Sequence, residues 1–131
     1  MNRPDGPSMN GSQVEASLEI PPPARIAVGR GTAFVLGGYC YHRAGRTRAL
    51  AVGIGGTRQL VGRMRLPRDD VYGRLDPGDP AAAHAYRSGF VSLVDLAPVP
   101  RAARLELELI LTLADGTEER VPLGPSRLSR S

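Results

Sequence analysis

The sequence contains no lysine and no tryptophan, and every one of its 17 basic residues is arginine. A GC-rich coding sequence accounts for this most simply, since it favours arginine, alanine, glycine and proline together. The functional counterpart is that arginine's planar fork suits phosphate and carboxylate. Cysteine occurs once, at Cys40, so an internal disulfide is impossible and a reducing compartment is favoured. No stretch approaches the roughly 20 apolar residues of a membrane span. The polar segment from Met1 to Gln13 lacks the basic start and apolar run of a secretory signal. The expectation is a cytoplasmic protein with no membrane partner.

The same scarcity bears on catalysis. His42 and His84 are the only histidines, so nitrogen and sulfur ligands number three at most with Cys40. A structural zinc site uses about four such ligands. Ser88-Gly89 is not a nucleophile elbow, and no Gly-Lys-Ser/Thr follows the glycines at 29, 31, 37 and 38 to make a phosphate loop. Cys40 sits in a strand-like run between Tyr39 and Tyr41 and reads as a small buried apolar residue. Asp69, Asp70, Asp76 and Asp79 resemble a cation cluster, but Arg68 and Arg74 lie among them and Asp is an ordinary turn former. No catalytic residue, metal or cofactor is expected, and the protein is not expected to be an enzyme.

What is present is alternation. Leu105, Leu107, Leu109, Leu111 and Leu113 alternate with Glu106, Glu108, Ile110 and Thr112, the mark of a half-buried strand. Val14 to Ile20 alternates too, with Val14, Ala16, Leu18 and Ile20 on one face, until Pro21 to Pro23 end it. Arg25 to Val28 reads as a short strand. In Ala33 to Tyr41, Phe34, Leu36, Gly38 and Cys40 oppose Val35, Gly37, Tyr39 and Tyr41. The Gly37-Gly38 pair points to a bulge or a close backbone approach. Gly55-Gly56 joins Arg48–Ile54 to Thr57–Met64 as a hairpin, and Asp115-Gly116 joins the leucine strand to Thr117–Leu123. In the arm after Gly56 the inward face is ambiguous, because Leu60 stands beside Val61. Between Leu66 and Ala83 proline, aspartate and glycine mark a long loop, followed by one helical turn at Ala81 to Tyr86. In Gly89 to Asp95, Phe90, Ser92 and Val94 oppose Val91, Leu93 and Asp95.

The expected fold is therefore all-β: an antiparallel, immunoglobulin-like β-sandwich of six to eight short strands, with a small barrel as competitor. The expected organisation is a disordered leader over 1–13, the sandwich over 14–124 and a flexible tail over 125–131. A length of 131 residues fits one hydrophobic core.

Two binding readings arise from the residues. Tyr39 and Tyr41 share a strand face and make either a small platform for sugar or core packing, the latter favoured. Arg43, Arg46, Arg48, Arg58, Arg63, Arg65 and Arg68 gather around the hairpin and would attract a polyanion if they shared one face. No aromatics interleave with them, so nucleic acid is not the favoured partner. Edge-protecting charges are the simpler account.

The order Phe34 to Tyr39, a hairpin, Pro67-Arg68-Asp69-Asp70-Val71, Ser88-Gly89-Phe90 and a leucine strand ending in Asp115-Gly116 resembles the β-sandwich accessory domains attached to bacterial glycosyltransferases. In that family Gly-Trp often stands where Gly38-Tyr39 stands here, and Pro-Arg-Pro-Asp-Val where 67–71 stand. The likeness covers roughly residues 26–123, and no transferase domain is expected within this chain. It implies a non-catalytic accessory module of a sugar-transfer or polysaccharide system, acting by docking to a glycosyltransferase or other protein domain or by weak glycan binding. The candidate binding residues are Tyr39, Tyr41, Arg68, Asp70 and Tyr72. On physical grounds Asp70 is placed to cap the turn after Arg68, Val71 to plug the end of the sandwich, and Phe90 to anchor the returning strand. The alternative remains an arginine-mediated binder of nucleic acid or another polyanion.

Overall fold

The leucine run at 105–113 lies in one of two facing sheets of a computed structural model, which describes residues 13–29, 32–96, 101 and 103–129. In chain order the elements are β1 (Val14–Ile20), β2 (Arg25–Ala27), β3 (Ala33–His42), β4 (Thr47–Ile54), β5 (Thr57–Leu60), β6 (Arg63–Leu66), α1 (Asp69–Tyr72), α2 (Ala82–Tyr86), β7 (Gly89–Asp95), β8 (Arg104–Leu113) and β9 (Glu118–Ser129). The first sheet has the order β1-β3-β7-β6 and is antiparallel. The second has the order β2-β9-β8-β4-β5 and is antiparallel except where β2 runs parallel to β9. Among the described residues no strand pair joins the two sheets, so the architecture is an all-β sandwich and not a closed barrel.

The core is built by alternation. Phe34, Leu36 and Cys40 of β3 and Phe90 and Val94 of β7 face Leu50, Val52 and Ile54 of β4 and all five leucines of β8. Burying each such leucine contributes about 1.5–3 kcal/mol, which makes β8 the strand on which the second sheet depends most. Phe90 is buried at the start of β7, where it anchors the returning chain.

Four departures from the sequence reading have physical causes. The run Thr57–Met64 is not one arm but two strands, giving nine in all among the described residues. At Val61–Gly62 the chain leaves the second sheet for the first: the Val61 N–H donates to the Leu50 carbonyl at 2.9 Å and the Gly62 N–H to Ser92 Oγ at 3.2 Å. Val61 turns into the core while Leu60, 74% exposed, turns out, which is why no single inward face was legible.

The segment after Gly124, read as tail, continues β9 to Ser129. A bulge opposite Leu107 and Glu108, with Gly124 at φ 86°, carries the strand past Leu123. Pro122 and Pro125 are tolerated because β2 pairs only with Arg127 to Ser129, leaving those positions without a second strand neighbour among the described residues. Leu128 is buried, and the Ser126 hydroxyl donates to the Pro23 carbonyl at 2.7 Å. The leader expected over 1–13 lies outside the described residues except for Gln13.

Ile20 does not share a face with Val14 and Leu18. The pairing of β1 with β3 shifts between Leu18 and Ile20, which places Ile20 opposite Gly37 on the outer face of the first sheet. The segment 67–88 also packs on that outer face. Val71, Ala81 and Ala85 bury themselves against Tyr41 in a second, smaller cluster with Tyr39 and Leu75 alongside. Val71 thus covers the sheet and does not plug the end of the sandwich. The two ends of the segment are tied where the Arg68 N–H donates to the Tyr86 carbonyl at 2.7 Å, so the long loop is a packed unit.

Candidate functional site

Three short segments, remote in sequence, meet at one corner of the first sheet: Gly37-Gly38 in β3, Leu66 to Arg68 leaving β6, and Gly89-Phe90 opening β7. Together with Glu19, Ile20, Asp70 and Val91 they line a shallow groove of about 390 Å³. Two of the glycines are sterically required. A Cβ on Gly38 would stand 2.0 Å from the Ser17 carbonyl oxygen, and one on Gly89 would stand 2.9 Å from the Leu66 carbonyl oxygen. The backbones of β1 and β6 approach β3 and β7 at these points, so the glycines form the corner by letting neighbouring strands close.

Arg68 ties the corner together. Its Nε and Nη2 donate to the two Asp70 oxygens at 2.9 and 2.7 Å, and Nη1 and Nη2 donate to the two Glu19 oxygens at 3.0 and 2.5 Å. Its guanidinium carbon also lies 5.5 Å from the centre of the Tyr39 ring. One side chain therefore links β1, β3 and α1, and only 16% of it is exposed. The Arg68 hydrogen bonds hold the Asp70 carboxyl down at about 2, well below its ordinary 3.8. Asp70 also lies 3.6 Å from Arg74. Asp70 serves as Arg68's partner in place of an N-cap; the N-cap position of α1 is Arg68 itself, without a side-chain cap bond.

Tyr39 and Tyr41 do share a face, with ring centres 6.3 Å apart and planes inclined by 29°. Tyr41 is only 4% exposed beneath the 67–88 segment, and burial raises its phenol pKa above the ordinary value. Tyr39 is half-buried with Arg68 and Arg74 over its ring, the latter 5.7 Å from the ring centre, and the Arg74 Nη1 donates to its hydroxyl at 3.3 Å. Neither ring lies bare for a sugar to stack on. Tyr72 turns to an edge-to-face contact with Tyr86, with ring centres 5.7 Å apart. The structure thus joins Tyr39, Tyr41, Arg68 and Asp70 in one constellation and turns Tyr72 to a different neighbour.

Three of the hairpin arginines are each paired with carboxylates of their own. Arg43 pairs with Asp79 at 2.9 Å, Arg58 with Glu118 at 2.8 Å, and Arg68 with Glu19 and Asp70. Asp79 also accepts from the Ala81 N–H at 2.9 Å, so Asp70 and Asp79 are both occupied by arginine. Cys40 is buried in the core, where desolvation pushes its thiol up to about 12. His42, at the end of β3, is buried, and its Nδ1 accepts from the Ala44 N–H at 3.0 Å.

Beside the groove the outer face of the first sheet exposes Ile20, Val35, Val91 and Leu93, the last 65% exposed. Gly37 sits among them: a Cβ there would meet Val91 at 3.1 Å and Ile20 at 3.2 Å. Sequence reasoning missed this strip and also missed Glu19 and Arg74. Glu19 reaches Arg68 across 49 positions, with no local signal. Arg74 had one, its i,i+4 spacing from Asp70. The strip had one as well, since β7 is apolar on both faces.

No helix among the described residues is long and apolar enough to cross a membrane. Comparison with family models, curated proteins and solved structures finds no match to this chain.

Proposed function

We propose that this domain is a non-catalytic accessory module of a sugar-transfer or polysaccharide system that acts by docking to a partner protein domain. The observation that carries the reading is the meeting of the three short motifs at a single corner, Gly37 to Tyr39, Pro67 to Val71 and Ser88 to Phe90. Each motif residue with a clear physical task there serves the corner's shape: the glycines permit strand approach and Arg68 clamps the loop to the sheet. The corner opens onto the apolar strip of Ile20, Val35, Val91 and Leu93, a surface that gains by being covered. Docking is favoured over sugar stacking because Tyr41 is covered and Tyr39 lies under two guanidinium groups.

The test is calorimetric titration of the purified domain against a panel of purified bacterial glycosyltransferase domains, with a glycan array in parallel. Saturable binding to a transferase domain is expected. Leu93→Arg should weaken it about tenfold or more, as for a central apolar contact. Leu60→Arg, somewhat more exposed and on the other sheet, should leave it unchanged. Silence in both assays sinks the proposal.

A further inference from the structure

A second cleft, of about 460 Å³, opens where the turn before β4, strand β6 and helix α2 meet. It is lined by Arg46, Thr47, Arg65, His84, Tyr86 and Arg87, with Ala83 alongside, and by no acidic side chain among the described residues. Elsewhere the described arginines of the folded surface are commonly paired, as are Arg43, Arg58, Arg68, Arg74, Arg104 and Arg120 with neighbouring carboxylates. Arg46, Arg65 and Arg87 have no such partner among the described residues. Three guanidinium groups around one concavity repel one another, and the cost falls when an anion enters.

Two of the three are held in place. The Arg65 Nη2 donates to the carbonyls of Thr47 and Arg48 at 3.2 and 3.3 Å, which fixes the side chain against β4. Arg65 is also the only described non-glycine residue at positive φ, 62°, in the left-handed region that side chains disfavour. Such backbone positions gather at binding sites. The Arg87 guanidinium carbon lies 5.6 Å from the centre of the Tyr86 ring, and that contact orients it. Guanidinium forks match the oxygens of phosphate with two parallel bonds each, and the half-buried His84 ring supplies a further donor. The cleft is many times the roughly 30 Å³ share of one water molecule, so it accommodates more than a bare phosphate. The Tyr86 face and Ala83 offer an apolar wall for the remainder.

We infer that this cleft binds a small organic phosphate or diphosphate, its phosphoryl oxygens received by Arg46, Arg65 and Arg87 and its organic part resting on Tyr86. The site is separate from the docking strip and does not depend on it.

The experiment is calorimetry on the whole chain at low salt with three probes: inorganic pyrophosphate, glucose 1-phosphate and a single-stranded oligonucleotide. Saturable binding of pyrophosphate and glucose 1-phosphate is expected, with glucose 1-phosphate binding weakened by Tyr86→Ala. Arg46→Ser and Arg87→Ser should each weaken pyrophosphate binding about tenfold or more, the loss typical of a charge-assisted hydrogen bond. Both side chains are exposed, so the variants should melt with the parent. Arg104→Ser, paired with Glu106 at the end of β8 away from Thr47, should bind as the parent does. The inference is overturned if neither phosphate saturates at millimolar concentration, or if both cleft variants bind unchanged. It is overturned equally if the oligonucleotide displaces both with a steep salt dependence, which would mark a polyanion surface instead.

Discussion

Gly38→Ala should be among the most damaging single-methyl additions this domain can receive. The new Cβ would lie 2.0 Å from the Ser17 carbonyl oxygen, 2.9 Å from Leu18 Cα and 3.0 Å from the Ser17 carbonyl carbon. Ordinary carbon contacts settle near 3.5–4.0 Å, so β1 must retreat by roughly an ångström or more. All three obstacles are backbone, and no rotamer change relieves them. Overpacking of a well-filled site costs typically about 1–3 kcal/mol, and an unyielding neighbour places the loss at about 3 kcal/mol or above. The retreat also draws Glu19 away from Arg68, so the corner loosens with the strand. Gly78→Ala is the control: nothing stands within 4 Å of its added methyl, and the change should stay within about 0.5 kcal/mol. Urea unfolding followed by circular dichroism measures both, with equal slopes required before midpoints are compared. A loss below about 1 kcal/mol for Gly38→Ala would show that β1 accommodates the methyl freely and would refute the close-approach argument.

Two further expectations come from the ionisable groups. Arg68→Met keeps much of the side chain's length but removes the donors that hold Asp70 at about 2, so the Asp70 carboxyl should titrate back toward its ordinary 3.8. Because the folded value is depressed, the pair's contribution is complete above that ordinary value and fades as pH falls from about 4 toward 2. Carboxyl-resolved NMR titration of parent and variant checks this, and an Asp70 curve unmoved by the substitution would contradict it. Cys40, its thiol pushed up to about 12 in the core, should resist alkylation at mildly alkaline pH and react only on addition of denaturant. Stoichiometric labelling of the folded protein, read by mass spectrometry, would count against that burial.

Where a face alternates without interruption, sequence alone places the residues correctly. The leucines of β8, the split of β7 into Phe90, Ser92 and Val94 against Val91, Leu93 and Asp95, and the Gly55-Gly56 and Asp115-Gly116 turns are all found where the pattern puts them. The positive φ of Gly55, Gly56 and Gly116 shows the reason: these turns need a conformation that glycine adopts without steric cost. The Gly37-Gly38 pair likewise announced a close approach, which Ser17 and Leu18 supply.

Strand period and turn chemistry are local, and they are enough to determine an all-β chain with these turns and this leucine core. Register shifts, sheet crossings and the partners of charged groups depend on what arrives from elsewhere in the chain. Ile20 changed face because β1 slips against Gly37, and Thr57–Met64 broke in two because Ser92 and Leu50 offer bonds on different sheets. Arg127 to Ser129 became strand because Ala24 to Ala27 lies alongside. Charge is the clearest case. The sequence determined that arginine would be plentiful and acid nearly as plentiful, but Coulomb energy depends on distance, and only the tertiary structure sets the distances. It placed Glu19 and Asp70 on Arg68 and left Arg46, Arg65 and Arg87 around a cleft with no carboxylate among the described residues.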